Sequence, residues 1–304
     1  MKYLNMEGIT IENDYIKLVV LPNLGAKIAS IYYKPQNFEV LFQPTLKKYN
    51  LPKYGDSFAQ YDTSGSDEMF PNIDKGIYPF EEYYGEILPD HGELWSIPWN
   101  CKIIGNNIIE SIVDSPKFNY TFKRIIELKN NKIILTYSVK NNGIKKFKGF
   151  WTFHGLVAID KNSKIILNGI NRVLNVKKNS HYLGNSENEC SYPVYNNYQL
   201  NKFLPPEVKN TEKFYLLDKI DYAGITLNNN NLLYLVNFKE LPYLGIWKNE
   251  GGFKNEYNAA IEPTNGFYDS LEITKKHNKY LTFESGEEKS WLISIELNEE
   301  NFLA

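Results

Sequence analysis

A chain of 304 residues with a formal net charge of −2 carries no basic field that would draw nucleic acid or an anionic membrane surface. Two cysteines, Cys101 and Cys190, are too few for a disulfide framework and stand in no metal-ligand spacing, which points to a reducing cytoplasm and no metal. No apolar run is long enough to span a bilayer as a helix, and residues 1–15 lack the basic-then-apolar layout of a signal peptide.

Residues 9–34 alternate between apolar and polar, through Ile9, Ile11, Ile16, Leu18, Val20, Ile28 and Ile31, with a turn at Pro22-Asn23-Leu24-Gly25. That pattern predicts consecutive antiparallel strands. From Gln43 to Trp99 it gives way to a Gly-, Pro-, Asp- and Tyr-rich stretch without a period. Its many aromatic residues argue against disorder, so it reads as an ordered functional cover. Strands then return at 102–109, 118–128 and 132–140, with Asn130-Asn131 as a hairpin turn, and at 147–154. Residues 176–213 read as irregular and polar. Further strands are predicted at 223–227, 232–238, 244–247, 259–262, 279–283 and 290–297. No amphipathic helix longer than about three turns is visible. The 23 Tyr, 17 Phe and 5 Trp suit strands and also offer flat faces for sugar rings. The expectation is an all-β chain, a large antiparallel sandwich or barrel in one domain over 1–304.

Few residues are suited to acid–base chemistry. Glu262 ends an apolar strand in Ala259-Ala260-Ile261-Glu262-Pro263, where a carboxylate is held at a rim as a base would be. An edge-strand Glu facing water has the same local pattern. His154 closes the aromatic strand Phe150-Trp151-Thr152-Phe153 and precedes Gly155, and His91 lies inside the long cover. Either could instead be a satisfied structural histidine. His181 and His277 sit in Lys- and Asn-rich stretches and read as solvated. Asp67 and Glu68, in Ser64-Gly65-Ser66-Asp67-Glu68, read as turn carboxylates that accept from sugar hydroxyls or satisfy their own backbone. Trp247 is a stacking face for a pyranose or a core residue. A nucleophile elbow and a glycine-rich phosphate loop are both missing.

Taken in order, these segments resemble the aldose 1-epimerase (galactose mutarotase-like) superfamily. The resemblance runs from Leu21-Pro22-Asn23-Leu24-Gly25 through Asp67-Glu68-Met69-Phe70-Pro71, His91-Gly92-Glu93-Leu94-Trp95 and Trp151-Thr152-Phe153-His154 to Ile261-Glu262-Pro263. It implies a β-supersandwich of large antiparallel sheets with a sugar cleft across one face. It also implies interconversion of the α and β anomers of a free sugar without a cofactor. Glu262 then corresponds to the base, His154 to the acid that protonates the ring oxygen, and His91 to the second active-site histidine. Asp67, Glu68 and Trp247 are the expected substrate contacts. Glu262 and His154 should face each other across a gap the width of one sugar ring.

The departures from the family pattern are informative. No arginine precedes Arg124, and the only other one is Arg172. A phosphate is best clamped by arginine, so an unphosphorylated sugar is the expected substrate, unless Lys75, Lys248 or Lys254 takes that role. A hexose-6-phosphate 1-epimerase and a sugar-binding protein without turnover are the alternatives.

Overall fold

The computed structural model describes residues 1–299. Two antiparallel sheets dominate. The larger, of eleven strands, runs from one edge as Glu189–Ser191, Arg172–Asn175, Asn210–Leu216, Tyr243–Glu250, Tyr257–Thr264, Thr152–Ala158, Ser66–Met69, Lys27–Tyr33, Ile16–Leu21 and Ile9–Glu12, with Phe38–Glu39 paired to Lys27–Tyr33. The second has eight, in the order Asn100–Gly105, Ile108–Asp114, Tyr120–Lys129, Lys132–Asn141, Glu288–Glu299, Leu232–Asn237, Tyr222–Leu227 and Ile165–Ile166. The all-β β-supersandwich is therefore the observed architecture. A single α-helix, Leu271–Lys276, occurs among the described residues.

The two sheets differ in how their faces are covered. Tyr120, Phe122, Ile126 and Leu128 are buried while their neighbours in sequence are partly exposed, the period-two signature of a strand with one wet face. Thr152–Ala158 and Ser66–Met69 are buried at almost every position, so both faces of the larger sheet are covered there. One face meets the second sheet through Phe122, Tyr137, Trp151 and Trp291. Loops and short segments lie over the other, and the candidate residues His154 and Glu262 sit beneath them.

Several expected boundaries move. The strand expected at 102–109 is broken by a turn whose Asn107 has φ +62°, so two strands form a hairpin there. Within the irregular cover, Ser66–Met69 is a central strand of the larger sheet rather than a turn. The stretch 176–213 ends in another strand of that sheet, Asn210–Leu216.

A buried ion pair joins the sheets. Arg124 donates from Nη1 to Glu68 Oε1 at 2.9 Å and from Nη2 to the Ala26 carbonyl at 2.5 Å. Glu68 also accepts from the Tyr137 hydroxyl at 3.0 Å and Trp151 Nε1 at 2.7 Å. Its carboxyl is therefore saturated inside the core.

Candidate active site

Strand register brings the site together. Thr152 pairs with Thr264 and Leu156 with Ala260, so His154 stands across from Glu262 on the adjacent strand. His154 is also the cross-strand partner of Asp67, Glu262 that of Gly245, and Gly245 that of Tyr215. Opposed residues of an antiparallel pair project to the same face. Tyr215, Gly245, Glu262, His154 and Asp67 thus form one row, on the face turned away from the second sheet.

His91 reaches this row from the cover. It lies in left-handed backbone, φ +59°, followed by Gly92 at φ +72°, a conformation that a β-carbon disfavours. A β-carbon at Gly92 would stand 2.3 Å from the Phe70 carbonyl oxygen. The turn is fixed by bonds from His91 N to the Ile73 carbonyl at 2.7 Å and from Glu93 N to the Phe70 carbonyl at 2.9 Å. Phe58 stacks on the His91 ring at 4.1 Å and meets His154 edge-on at 5.5 Å. The two imidazoles lie 5.7 Å apart, edge to face.

These groups open onto a cleft of about 470 Å³, lined by Phe58, Trp247, Asp74, Asp90, Glu256 and Asp269 besides Glu262 and both histidines. That volume accepts a small, drug-sized ligand. Trp247 is half-buried on the cleft wall. Among the described residues no group of three or more His, Cys, Asp or Glu is arranged to hold a metal ion.

The charges differ from the sequence expectation. His154 is 7 % exposed and has no side-chain partner at Nδ1. Burial first, then the positive fields of His91, Lys213 and Lys27, hold it well below the usual histidine range, so it rests neutral. The carboxylate partner goes to His91, whose Nδ1 lies 2.8 Å from Asp90 Oδ1. Burial alone would raise the Asp90 carboxyl, but hydrogen bonds from His91, Ser57 and the Phe58 backbone bring it below its ordinary value. An ionised Asp90 accepts from Nδ1–H and leaves His91 Nε2 to the cleft.

Glu262 is 1 % exposed; its Oε2 accepts from Lys213 Nζ, and its Oε1 is buried without a protein partner. Burial raises its carboxyl above the ordinary range and Asp269 adds to the rise, while Lys213 pulls the other way. Asp74, on the cleft wall, is pushed up to about 6 by its surroundings and then by the nearby Asp269 charge. Tyr215 donates to Asp269 Oδ1 at 2.8 Å.

Four of the residues singled out from sequence, Glu262, His154, His91 and Trp247, line the one cleft. Glu262 and His154 are side by side on its floor rather than facing each other across it. Asp67 and Glu68, expected as substrate contacts, do not line the cleft. Glu68 projects into the core, and Asp67, in the row beside His154 but 1 % exposed, is bound to Lys27 Nζ at 2.6 Å. The proposed cationic substitutes also lie elsewhere: Lys248 is buried against Glu250 at 3.1 Å, Lys254 binds the Tyr61 carbonyl, and Lys75 is outside the lining. The cleft lysines are Lys177, Lys178 and Lys213. Sequence reading missed Lys213, Asp74 and Asp269 because their positions depend on strand pairing. The alternation through Glu212-Lys213-Phe214-Tyr215 was the available signal.

No protein-family model and no curated protein sequence matches the chain. Solved structures do share its fold. A galactose mutarotase related enzyme from Lactobacillus acidophilus superposes with a TM-score of 0.73 at 16 % identity, over 97 % of this chain and 99 % of that one. A galactose mutarotase-like protein from Lactobacillus casei gives 0.72 at 17 % identity over 96 % and 100 %, and one from Clostridium acetobutylicum 0.67 at 15 % over 98 % and 97 %. The fold is galactose mutarotase-like along nearly the whole chain.

Proposed function

We propose that the protein is an aldose 1-epimerase acting on a free, unphosphorylated sugar. The observation that carries this is the convergence of Glu262, His154 and His91 on one aromatic-walled cleft, with Glu262 Oε1 unengaged by the protein. Glu262 accepts the proton of the anomeric hydroxyl through Oε1. The electron pair of that O–H bond becomes the second bond of the carbonyl, and the bond from C1 to the ring oxygen breaks. The ring oxygen keeps the departing pair and takes a proton. Rotation about C1–C2 and the reverse transfers close the ring from the other face, so both groups return to their starting state.

The anomeric hydroxyl and the ring oxygen share one carbon. A base and a hydrogen-bond donor on adjacent strands, Glu262 and His154, therefore suit them at least as well as a pair on opposite walls. Of the two histidines, His91 is the one oriented by a carboxylate, Asp90 at its Nδ1, so it is assigned as the proton donor. Neutral His154 supplies an N–H to the developing charge on the ring oxygen, a role open to an uncharged imidazole. Substrate class follows from the lining: Asp74, Asp90, Glu256, Glu262 and Asp269 outnumber Lys177, Lys178 and Lys213. Lys213 is already paired with Glu262, and Lys177 donates to the Thr211 carbonyl. This balance favours a neutral sugar over a phosphosugar.

The test is catalysed anomer exchange, followed by NMR over a panel of neutral and phosphorylated sugars. Glu262→Gln keeps the shape and an acceptor for Lys213, and should lower the rate above background by about 10²–10⁴-fold. Exchange that survives both Glu262→Gln and His91→Ala would overturn the assignment. A sugar-binding protein without turnover is the second reading, favoured by the engagement of Glu262 Oε2 with Lys213. Saturable binding in calorimetry with no exchange of any sugar would decide for it.

A further inference from the structure

The contact between Lys213 and Glu262 spans two strand intervals. Lys213 pairs with Trp247, and Tyr215 with Gly245, which in turn pairs with Glu262. All five project to the cleft face of the sheet. Lys213 thus leans diagonally over Gly245 to reach a carboxylate on the strand beyond. Gly245 leaves that path open: a β-carbon there would lie 3.4 Å from Glu262 Oε2 and 3.4 Å from the Tyr215 ring.

Around Glu262 the charges are unevenly distributed. From the strand Asn210–Leu216 come Lys213 and Tyr215, and from Thr152–Ala158 comes neutral His154. Asp269 follows the strand Tyr257–Thr264, and Asp74 and His91 come from the cover. Asp269 repels a charge on Glu262, and Asp74 joins it in the field around Lys213. Lys213 Nζ is the cation in salt-bridge reach of Glu262 among the described residues, and it lies 3.8 Å from Asp269 Oδ1 as well. Its own charge is secure: desolvation opposes it, but Asp269 and Glu262 more than offset that and raise it. Without this ammonium three carboxylates share a poorly hydrated corner, and like charges so placed retain a proton between them.

We propose that Lys213 is the positioning residue of the site: by binding Oε2 it holds Glu262 as a carboxylate and leaves the unpartnered Oε1 as its accepting atom. The proposal rests on Glu262 being the base. It asks nothing of Lys213 toward the substrate itself. Since Lys213 occupies one oxygen, the accepting atom is fixed without a second hydrogen bond that would weaken it.

Two readouts on Lys213→Met and Lys213→Arg test this. The first is the side-chain carboxyl titration of Glu262 by ¹³C NMR, with the resonance assigned by its loss in Glu262→Gln. In Lys213→Met it should move to higher pH by about 1–3 pH units, the usual effect of losing a close opposite charge, and Lys213→Arg should return it near the wild-type position. The second is the pH profile of anomer exchange. Lys213→Met should lose about tenfold or more at neutral pH, with the deficit shrinking as pH rises and rescued by Arg. An unmoved Glu262 titration, or a loss that is the same at every pH and not rescued by Arg, overturns the proposal. If no sugar is exchanged by the wild-type protein, the epimerase reading fails while the carboxyl titration still decides the role of Lys213. Should Lys213→Met fail to fold, Gly245→Val keeps the lysine but blocks its path, and the same upward titration is expected. A normal Glu262 titration in folded Gly245→Val overturns the proposal too.

Discussion

Arg124→Met probes the link between the two sheets. The substitution keeps a long apolar stem and removes the guanidinium that bonds Glu68 and the Ala26 carbonyl and lies 5.4 Å over the Trp99 ring. Glu68 is left fully buried, with Tyr137 and Trp151 as donors but no counter-charge. Removing one member of a buried ion pair costs about 3–5 kcal/mol. With an unfolding entropy of about 2.1 cal/mol/K per residue, a chain of 304 residues should lose about 5–8 °C in Tm. Calorimetry measures it directly. Adding Glu68→Leu should not restore the wild-type Tm, because the Tyr137 hydroxyl, Trp151 N–H and Ala26 carbonyl all lose partners, at about 1–3 kcal/mol for each one left unsatisfied. The pH dependence has a defined sign. Burial holds the folded carboxyl of Glu68 above its ordinary value, with Arg124 opposing. A proton is then bound more tightly in the folded state, so this group's contribution is largest at low pH and falls as pH climbs past the ordinary carboxylate range. Without Arg124 that fall is steeper, and the variant should lose more at neutral pH than near pH 4. A Tm loss under about 2 °C, equal at both pH values, would refute a stabilising role for the pair.

Gly92→Ala should destabilise by more than about 1 kcal/mol and impair exchange, since its β-carbon meets the Phe70 carbonyl and displaces His91; a thermal melt with the NMR exchange assay checks both. Trp247→Ala should raise KM about 3–10-fold with kcat little changed, the signature of lost uniform binding through an aromatic face, read from saturation curves of the exchange rate. Asp74→Asn should flatten a slope in stability. Asp74 holds its proton to about pH 6 in the fold but releases it near 3.8 unfolded, so wild-type stability falls between those values. Melting temperatures across that window should show the fall in wild type and a shallower one in the variant.

The legible part of this protein was the part written locally. Hairpins at Asn130-Asn131, announced in the sequence, and at Asn228–Asn231 pair Tyr120–Lys129 with Lys132–Asn141 and Tyr222–Leu227 with Leu232–Asn237. Alternation is clean in the first of these pairs, where one face of the second sheet is wet. It fails at Ser66–Met69, whose four residues are all buried, and whose carboxylates resemble a turn until Lys27 and Arg124 are seen opposite them. Likewise Glu262, His154 and His91 could be named from their local settings and their order. Lys213 could not, because nothing near it in sequence says that Glu262 lies two strands away. The charge states were equally closed. That Asp90 and not Glu262 partners a histidine depends on one left-handed turn at His91 and Gly92.

The row through Tyr215, Gly245, Glu262, His154 and Asp67 explains why an acid–base site suits this sheet. Neighbouring strands lie about 4.7–4.9 Å apart, so groups one strand apart reach two oxygens attached to the same carbon. Backbone pairing, rather than loop conformation, then fixes the separation of Glu262 and His154. The strands holding them are buried on both faces and pair on either side of the two residues, at Thr152 with Thr264 and from Leu156 with Ala260 onward. Groups whose position must adapt to a particular sugar are placed differently. Phe58, Asp74 and His91 come from the cover, where backbone turns and side-chain bonds set their positions. On the proposed function, exchanging a cover residue such as Phe58 should change which sugar is taken, whereas shifting the row by one residue would turn Glu262 and His154 into the core and leave the cleft without its floor.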